Sequence, residues 1–508
     1  MKNLLLLFSF VAITSIALGQ TFGDKKIYLR DNNSIYKNKR YYKINASSDE
    51  NNYYIAYQEN KIIDESYWAS DEIIPKKIDK NINLIIADKD FINHKKVTLE
   101  IEKNEIYHTM LFNNDNIILI CSRYDSKSKE TDITLKRYSK GTGTFINSST
   151  LATFPTNMSE HFYIAISPDK TKCGFVAFVA NKDKKYDRFY ECILNIEEYE
   201  ITRKSVQSLD ISKSTFGISD VAINNDDVMF VALYSKTDER KSVDEYYIDG
   251  KIIGENFTEN FSYKLDGELI DGKIKVLRNN NFLFACIASN PNLKGKDYGD
   301  PGFFKTAIYD VEKREINENK SWEIPKLEYQ KKPALMKLTL NIDNIKELDN
   351  NELAIVMQQA RDVTIYSNRG NGKVSYRGSI LTTFATKDGY IQNYNIYNKF
   401  QVGAHNRNVP MYSFLKGNTL YCIFNECAEN LVNTSKMKNF DYKAKKVIVC
   451  SKFTNGEKPK LFCITDKSGK DDRYFQGVVL HDENDKDKFI ILTATRKTVD
   501  LEILNIKE

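Results

Sequence analysis

The residues in this chain that could do chemistry are few and widely spaced. Five histidines occur in 508 residues: His94, His108, His161, His405 and His481. No two stand at H-x-H or H-x-x-x-H spacing, so no local zinc signature exists and no metal is expected. The eight cysteines are Cys121, Cys173, Cys192, Cys286, Cys422, Cys427, Cys450 and Cys463. They form no C-x-x-C pair and no C-x-x-C-H, which excludes a thioredoxin-type motif and covalent haem. Most end apolar runs, where a thiol behaves as a small hydrophobe. Cys173 and Cys192 flank the turn at Asn181–Lys184 and could face each other across a hairpin; Cys450 and Cys463 flank Asn455-Gly456 similarly. Directly opposed cross-strand bridges are geometrically uncommon. Buried thiols are therefore expected, with Cys173–Cys192 as the candidate disulfide. The acidic run Asp482–Asp487 lacks the Gly and Glu of a calcium loop and carries Lys486 beside Lys488. It reads as a solvated turn that includes His481. No G-x-S-x-G occurs. No catalytic residue and no cofactor are expected.

Composition narrows the setting. Apolar residues at 41% and charged residues at 28% give a globular chain with material for a core, not a disordered one. The net charge of +5 is too balanced to point to nucleic acid. Residues 1–19 have the plan of a secretory signal: Lys2, an apolar stretch from Leu4 to Ile13, and the small residues Ala17 and Gly19 before the expected cut. The apolar stretch is short for a membrane span. No Cys follows the cut, so a bacterial lipid anchor is not expected. The style of this segment and its -ALGQ ending resemble exported proteins of Gram-negative bacteria that use type IX secretion. Substrates of that system carry a separate C-terminal sorting domain, whereas Leu501–Ile506 reads as the last strand of the fold. The periplasm is the expected location, ahead of secretion or the cell surface, with no direct membrane span. The basic runs at 182–185 and 443–446 are interleaved with acids or polar turns and read as solvated hairpin tips.

The elements repeat. An apolar residue, a polar Asn/Asp/Gly turn and a strongly apolar run recur eight times, led by Ile44, Phe112, Ile166, Ile223, Leu277, Leu348, Leu415 and Leu480. The intervals are 68, 54, 57, 54, 71, 67 and 65 residues. Asn and Asp suit such turns because they tolerate left-handed backbone and hydrogen-bond their own turn. The run after each turn is continuous rather than alternating, as a strand buried on both faces requires. Further strands follow, so each unit reads as three or four antiparallel strands. The 31 Tyr and 28 Phe fit strands too.

Sheets of about four strands repeated radially make a propeller, and the chain resembles β-propeller proteins over residues 20–508. Ser167-Pro168-Asp169-Lys170 is similar to the Ser-Pro-Asp-Gly turn of bacterial envelope propellers related to TolB and WD repeats. The other seven turns lack it, and neither Trp-Asp dipeptides nor Asp-boxes occur, so the resemblance implies fold and no specific subfamily. The expected class is all-β: a single closed propeller of eight blades, or seven if the first copy completes a neighbour. A pair of packed sheets is the alternative. The last unit supplies three strands, and Lys26–Arg30 is expected to close the ring as the fourth. Two Trp in all do not suit the pyrroloquinoline dehydrogenase propellers, and sialidase propellers carry Asp-boxes.

The long units form one contiguous arc across the expected closure. Their inserts carry aromatic side chains, which protein interfaces favour as anchors. The candidate partner-binding residues are Trp68, Tyr298, Trp322, Tyr390, Tyr394, Tyr397 and Phe400. The expectation is a non-catalytic, protein-binding or scaffolding subunit of the envelope, with an outer-membrane protein among its candidate partners and an accessory or plug-like place in a secretion or assembly machine. A glycan-binding or glycan-hydrolysing propeller and a small-ligand or peptide sensor are the alternatives.

Overall fold

A computed structural model describes residues 21–30, 39–61, 78–155, 162–180, 186–209, 213–237, 245–290, 301–325, 338–367, 370–399, 401–404, 411–431, 445–465, 473–482, 485–494 and 499–506. The signal segment, Trp68, His161, Tyr298, Phe400 and His405 lie outside these residues.

The strands form eight antiparallel sheets, the blades of a β-propeller. Blade one is Lys39–Ser48, Asn52–Lys61, Ile78–Asp88 and His94–Leu99, hydrogen-bonded in chain order. Blades two to seven repeat that order, beginning at Glu105, Phe162, Lys213, Leu269, Thr339 and Met411. First strands of neighbouring blades contact one another, as Lys213–Ile223 does Leu269–Val276 and Leu269–Val276 does Thr339–Glu347, which makes them the innermost of their sheets. Seven of the eight leading residues found in the sequence lie within two residues of the ends of these innermost strands, and Ile44 lies inside Lys39–Ser48, so the count is eight and not seven.

The continuous apolar runs are second strands, and their burial explains the absence of alternation. In blade two, Ile118 and Ile120 face the core shared with blade three, while Ile117, Leu119 and Cys121 face the core shared with blade one. Eight such cores exist, one at each boundary between neighbouring blades. The eighth joins Tyr53, Ile55 and Tyr57 of blade one to Ile490, Leu492, Leu501 and Ile503 of the last blade. That last blade takes Tyr474–Asp482, Asp485–Ala494 and Val499–Asn505, with Thr21–Arg30 as its outermost strand. The expected pairing of the N-terminal strand is thus present, with Lys26 opposite Glu502 and Ile27 opposite Leu501.

The turns use the residues their backbone needs. Lys170, Asp227, Asn280, Asn351 and Gly417 all have φ between 54° and 63° in the turns after the innermost strands. These turns also bond to each other around the ring. Asn224 Nδ2 donates to the Asn280 carbonyl at 3.0 Å, and the Asn350 amide donates to Asn418 Oδ1 at 3.1 Å.

Two details correct the sequence reading. Cys173 and Cys192 are not opposite each other: Cys173 faces Leu194 and Cys192 faces Phe175, and both remain buried free thiols. Burial holds the Cys192 thiol up at about 12. His481 lies on the strand Tyr474–Asp482, exposed, with its ring 4.8 Å from Phe489. In the acidic run after it, Asp487 is taken by Lys416 at 2.6 Å.

Candidate functional site

The described partner-binding candidates fall in blades five and six. Blade five comprises Leu269–Val276, Phe282–Ser289, Pro301–Asp310 and Glu315–Glu323. Trp322 sits on its outermost strand opposite Phe304, half-buried against the core shared with blade six. Blade six comprises Thr339–Glu347, Leu353–Ser367, Gly370–Ala385 and Ile391–Tyr397. Its last turn presents Tyr390, which is 56% exposed, edge-on to Trp322 with ring centroids 5.8 Å apart. The Lys320 ammonium lies 5.5 Å from the Tyr390 ring, within range of a cation–π contact.

Tyr394 joins the same side but not the same surface. It packs into the core between blades five and six, and burial pushes its phenol up to about 12. Tyr397 lies three residues further along the strand and so on the opposite face. It packs toward blade seven, 5.3 Å from Phe424, and its hydroxyl donates to Glu426 Oε2 at 3.2 Å. The expected partner-binding aromatics are therefore split: Trp322 and Tyr390 share a rim, whereas Tyr394 and Tyr397 pack into the cores on either side of one sheet.

Behind Tyr397 stands a polar network that sequence reasoning missed. Lys399 is only 4% exposed and donates to Gln401 Oε1 at 3.1 Å, with its ammonium 4.7 Å from the Phe424 ring. Burial pulls the Lys399 pKa down to about 7, opposed by the Glu426 charge. Glu426 is wholly buried between blades six and seven, on Thr419–Cys427. It accepts from the Cys427 amide at 2.8 Å and Asn430 Nδ2 at 2.9 Å, and burial raises its pKa. A lysine in the polar stretch Asn398-Lys399 carries no signal in the sequence that distinguishes it from a solvated one.

The innermost strands of blades four to six carry a second set of buried charges. Asp220 accepts the Ile274 amide of the next blade at 2.8 Å, and Asp271 accepts the Ile342 amide of the next at 2.7 Å. Asp343 continues the series, accepting from Ser413 Oγ at 3.4 Å. Each Asp adjoins a register shift in its strand. The bulge re-aims its side chain across the blade boundary. Burial raises all three carboxyl pKa values. Asp220 and Asp271 accept from backbone amides and Asp343 from a side-chain hydroxyl, each across a blade boundary, so they act as inter-blade staples. Among the described residues, no group of three His, Cys, Asp or Glu is placed to hold a metal ion.

The third peculiarity is topological. The two middle strands of blade six run past their neighbours. Pairing with the innermost strand stops at Ala360, and pairing with the outermost stops at Ile380. The hairpin continues through Arg361–Tyr376 to Ser367–Gly370 as an arm. A short strand, Gln401–Ala404, adds to one side of it, with Gln401 opposite Arg377. This arm is part of the excess length that the spacing of the repeats detects in the unit after Leu348.

No family model matches the chain, and no curated protein matches its sequence. Among solved structures, it is similar to the β-propeller domain of the Trilobed protease from Pyrococcus furiosus, at 12% identity and TM-score 0.36 over 86% of this chain and 98% of that one. It is similar to the Dos1 propeller at 7% identity and TM-score 0.36, over 96% of each chain. It is also similar to the polysaccharide lyase Uly1, at 12% identity and TM-score 0.36, over 78% of this chain and 89% of that one. At these values the blade topology itself, and not the superpositions, carries the assignment of the fold.

Proposed function

We propose that this chain is an exported, non-catalytic β-propeller that binds protein as a scaffolding or accessory subunit in the Gram-negative cell envelope. The observation that supports this reading is the exposed Tyr390, backed edge-on by Trp322 and flanked by Lys320, at the rim between blades five and six. An aromatic ring held rigidly by a neighbour, with a cation beside it, is the kind of anchor that carries binding energy at low entropic cost. The buried charges described above act inside the fold: the aspartates join innermost strands, and Glu426 is enclosed by its own donors.

The test is gentle detergent extraction of envelope fractions, capture of the tagged native protein, and mass spectrometry of what co-purifies at near-equal amounts. A stoichiometric partner is expected, and Tyr390→Glu together with Lys320→Glu is expected to release it while leaving the melting temperature unchanged. Capture of no partner overturns the reading and turns attention to glycan binding. Full retention of the partner by the folded double variant removes this rim from the interface.

A further inference from the structure

We propose that the blade-six arm binds an extended, acidic segment of a partner polypeptide, which adds as a strand along Asp362–Ser367. This rests on the protein-binding reading above and names a second surface for it. The arm is the place where two strands leave the support of their sheet. Among the described residues, no strand pairs with the outer side of Asp362–Ser367, while its inner side pairs in full from Asp362–Ser375 to Ser367–Gly370. A strand edge of this length presents a row of backbone donors and acceptors that a second extended chain can complete.

The opposite side of the arm already shows such an addition. Gln401–Ala404 pairs antiparallel with Val374–Arg377, outside the four-strand plan of the other blades. The arm therefore accepts a short strand on one edge, and among the described residues none pairs with the other.

The sequence of this edge carries none of the usual guards. Proteins guard open edges with lysines, prolines or bulges. The outermost strand of blade one carries Lys95 and Lys96, that of blade three Arg203 and Lys204, and that of blade five Glu315, Lys320 and Glu323. The run Val363-Thr364-Ile365-Tyr366 has no charge, no proline and no register shift, and its residue types favour strands. The charged residues of 361–377 are Arg361, Arg369, Lys373 and Arg377 against Asp362 alone. That excess of positive charge favours an acidic strand and opposes a basic one.

The experiment uses the full chain and two synthetic probes: the octapeptide Glu-Val-Glu-Val-Thr-Val-Glu-Val and its counterpart with Lys for Glu. Amide hydrogen exchange is followed by mass spectrometry. The acidic probe is expected to slow exchange at Val363–Ser367, and the basic probe is not. Two variants locate the effect. One replaces Ile365–Gly372 by Asn-Gly, which joins Thr364 to Lys373 and spares the pairing with Gln401–Ala404. The other is Arg361→Glu with Lys373→Glu, which leaves the arm at full length. Each is expected to weaken acidic-probe binding about tenfold or more. No slowing at these amides, or equal slowing by the basic probe, overturns the proposal. Slowing that grows with protein concentration, with an arm-dependent dimer in sedimentation, assigns the edge to a second copy and also overturns it. An envelope partner that binds through Tyr390 but ignores both arm variants overturns this inference and leaves the scaffolding reading in place.

Discussion

Lys399 and the inner-strand aspartates are interior charges with opposite consequences. Lys399 has a folded pKa of about 7 against an ordinary value of 10.5, because burial penalises its ammonium. Between those two values the unfolded chain binds more protons at this residue than the folded one. Its contribution therefore makes stability rise with pH across that window, by at most about 1.4 kcal/mol per pH unit. Lys399→Met removes the ionisable group and keeps the contact with Phe424. Urea denaturation from pH 7 to 9.5 is expected to show a flatter profile for the variant and greater stability at pH 7. An unchanged slope would show that Lys399 is hydrated in solution. For Asp271 the oxygens matter more than the charge. Asp271→Ala strands the buried Ile342 amide and is expected to cost about 1–3 kcal/mol. Asp271→Asn keeps an acceptor for that amide and is expected to fall between the two, as read from denaturation midpoints. None of this was legible in the sequence, since a lone Lys or Asp in a polar stretch looks alike whether a neighbouring blade covers it or not.

Among the elements, the turns were the most legible and the edges the least. The turn after each innermost strand is set by local backbone chemistry, so Asn, Asp and Gly at fixed offsets from an apolar run identify it without tertiary context. The pairing of Thr21–Arg30 was also foreseeable, because three strands at the C-terminus leave an edge that must be covered. The blade-six arm was not: its hairpin has the same residue types as any blade strand, and only the length of the unit betrays it. The split of Tyr394 and Tyr397 follows from strand period, but which face meets which neighbour depends on register. Turn chemistry yields a graded prediction. Gly389 has φ of 78°, and an added Cβ would meet Thr306 Oγ1 at 2.8 Å. Gly417 has φ of 54° and open space around it. Gly417→Ala pays for left-handed backbone alone, about 1 kcal/mol, whereas Gly389→Ala adds a steric conflict and is expected to cost about 2 kcal/mol or more. Equal midpoint shifts in parallel urea titrations would contradict that ordering.

At the scale of the whole molecule, no blade owns a core. Each apolar cluster is built from two neighbours, so the stability of any blade depends on both boundaries. In an open array the end blades would each expose one apolar face. Here Tyr53, Ile55 and Tyr57 meet Ile490, Leu492 and Leu501 instead. The last blade holds its place partly through Thr21–Arg30, which pairs with Val499–Asn505 and is drawn from the opposite end of the chain. That strand begins two residues after the expected signal cleavage at Gly19, so removal of the signal would leave it whole. A chain beginning at Asp31 is expected to melt at lower temperature and to lose exchange protection first at Val499–Asn505. The loss should then spread to Phe489–Leu492, which pairs with that strand. A synthetic peptide of residues 21–30 added in trans should restore protection at the same amides, because among the described residues the backbone groups it pairs with have no other partner strand on that side. If the truncated chain melts like the full one, the ring is held by its boundary cores alone, and the N-terminal strand only covers an edge.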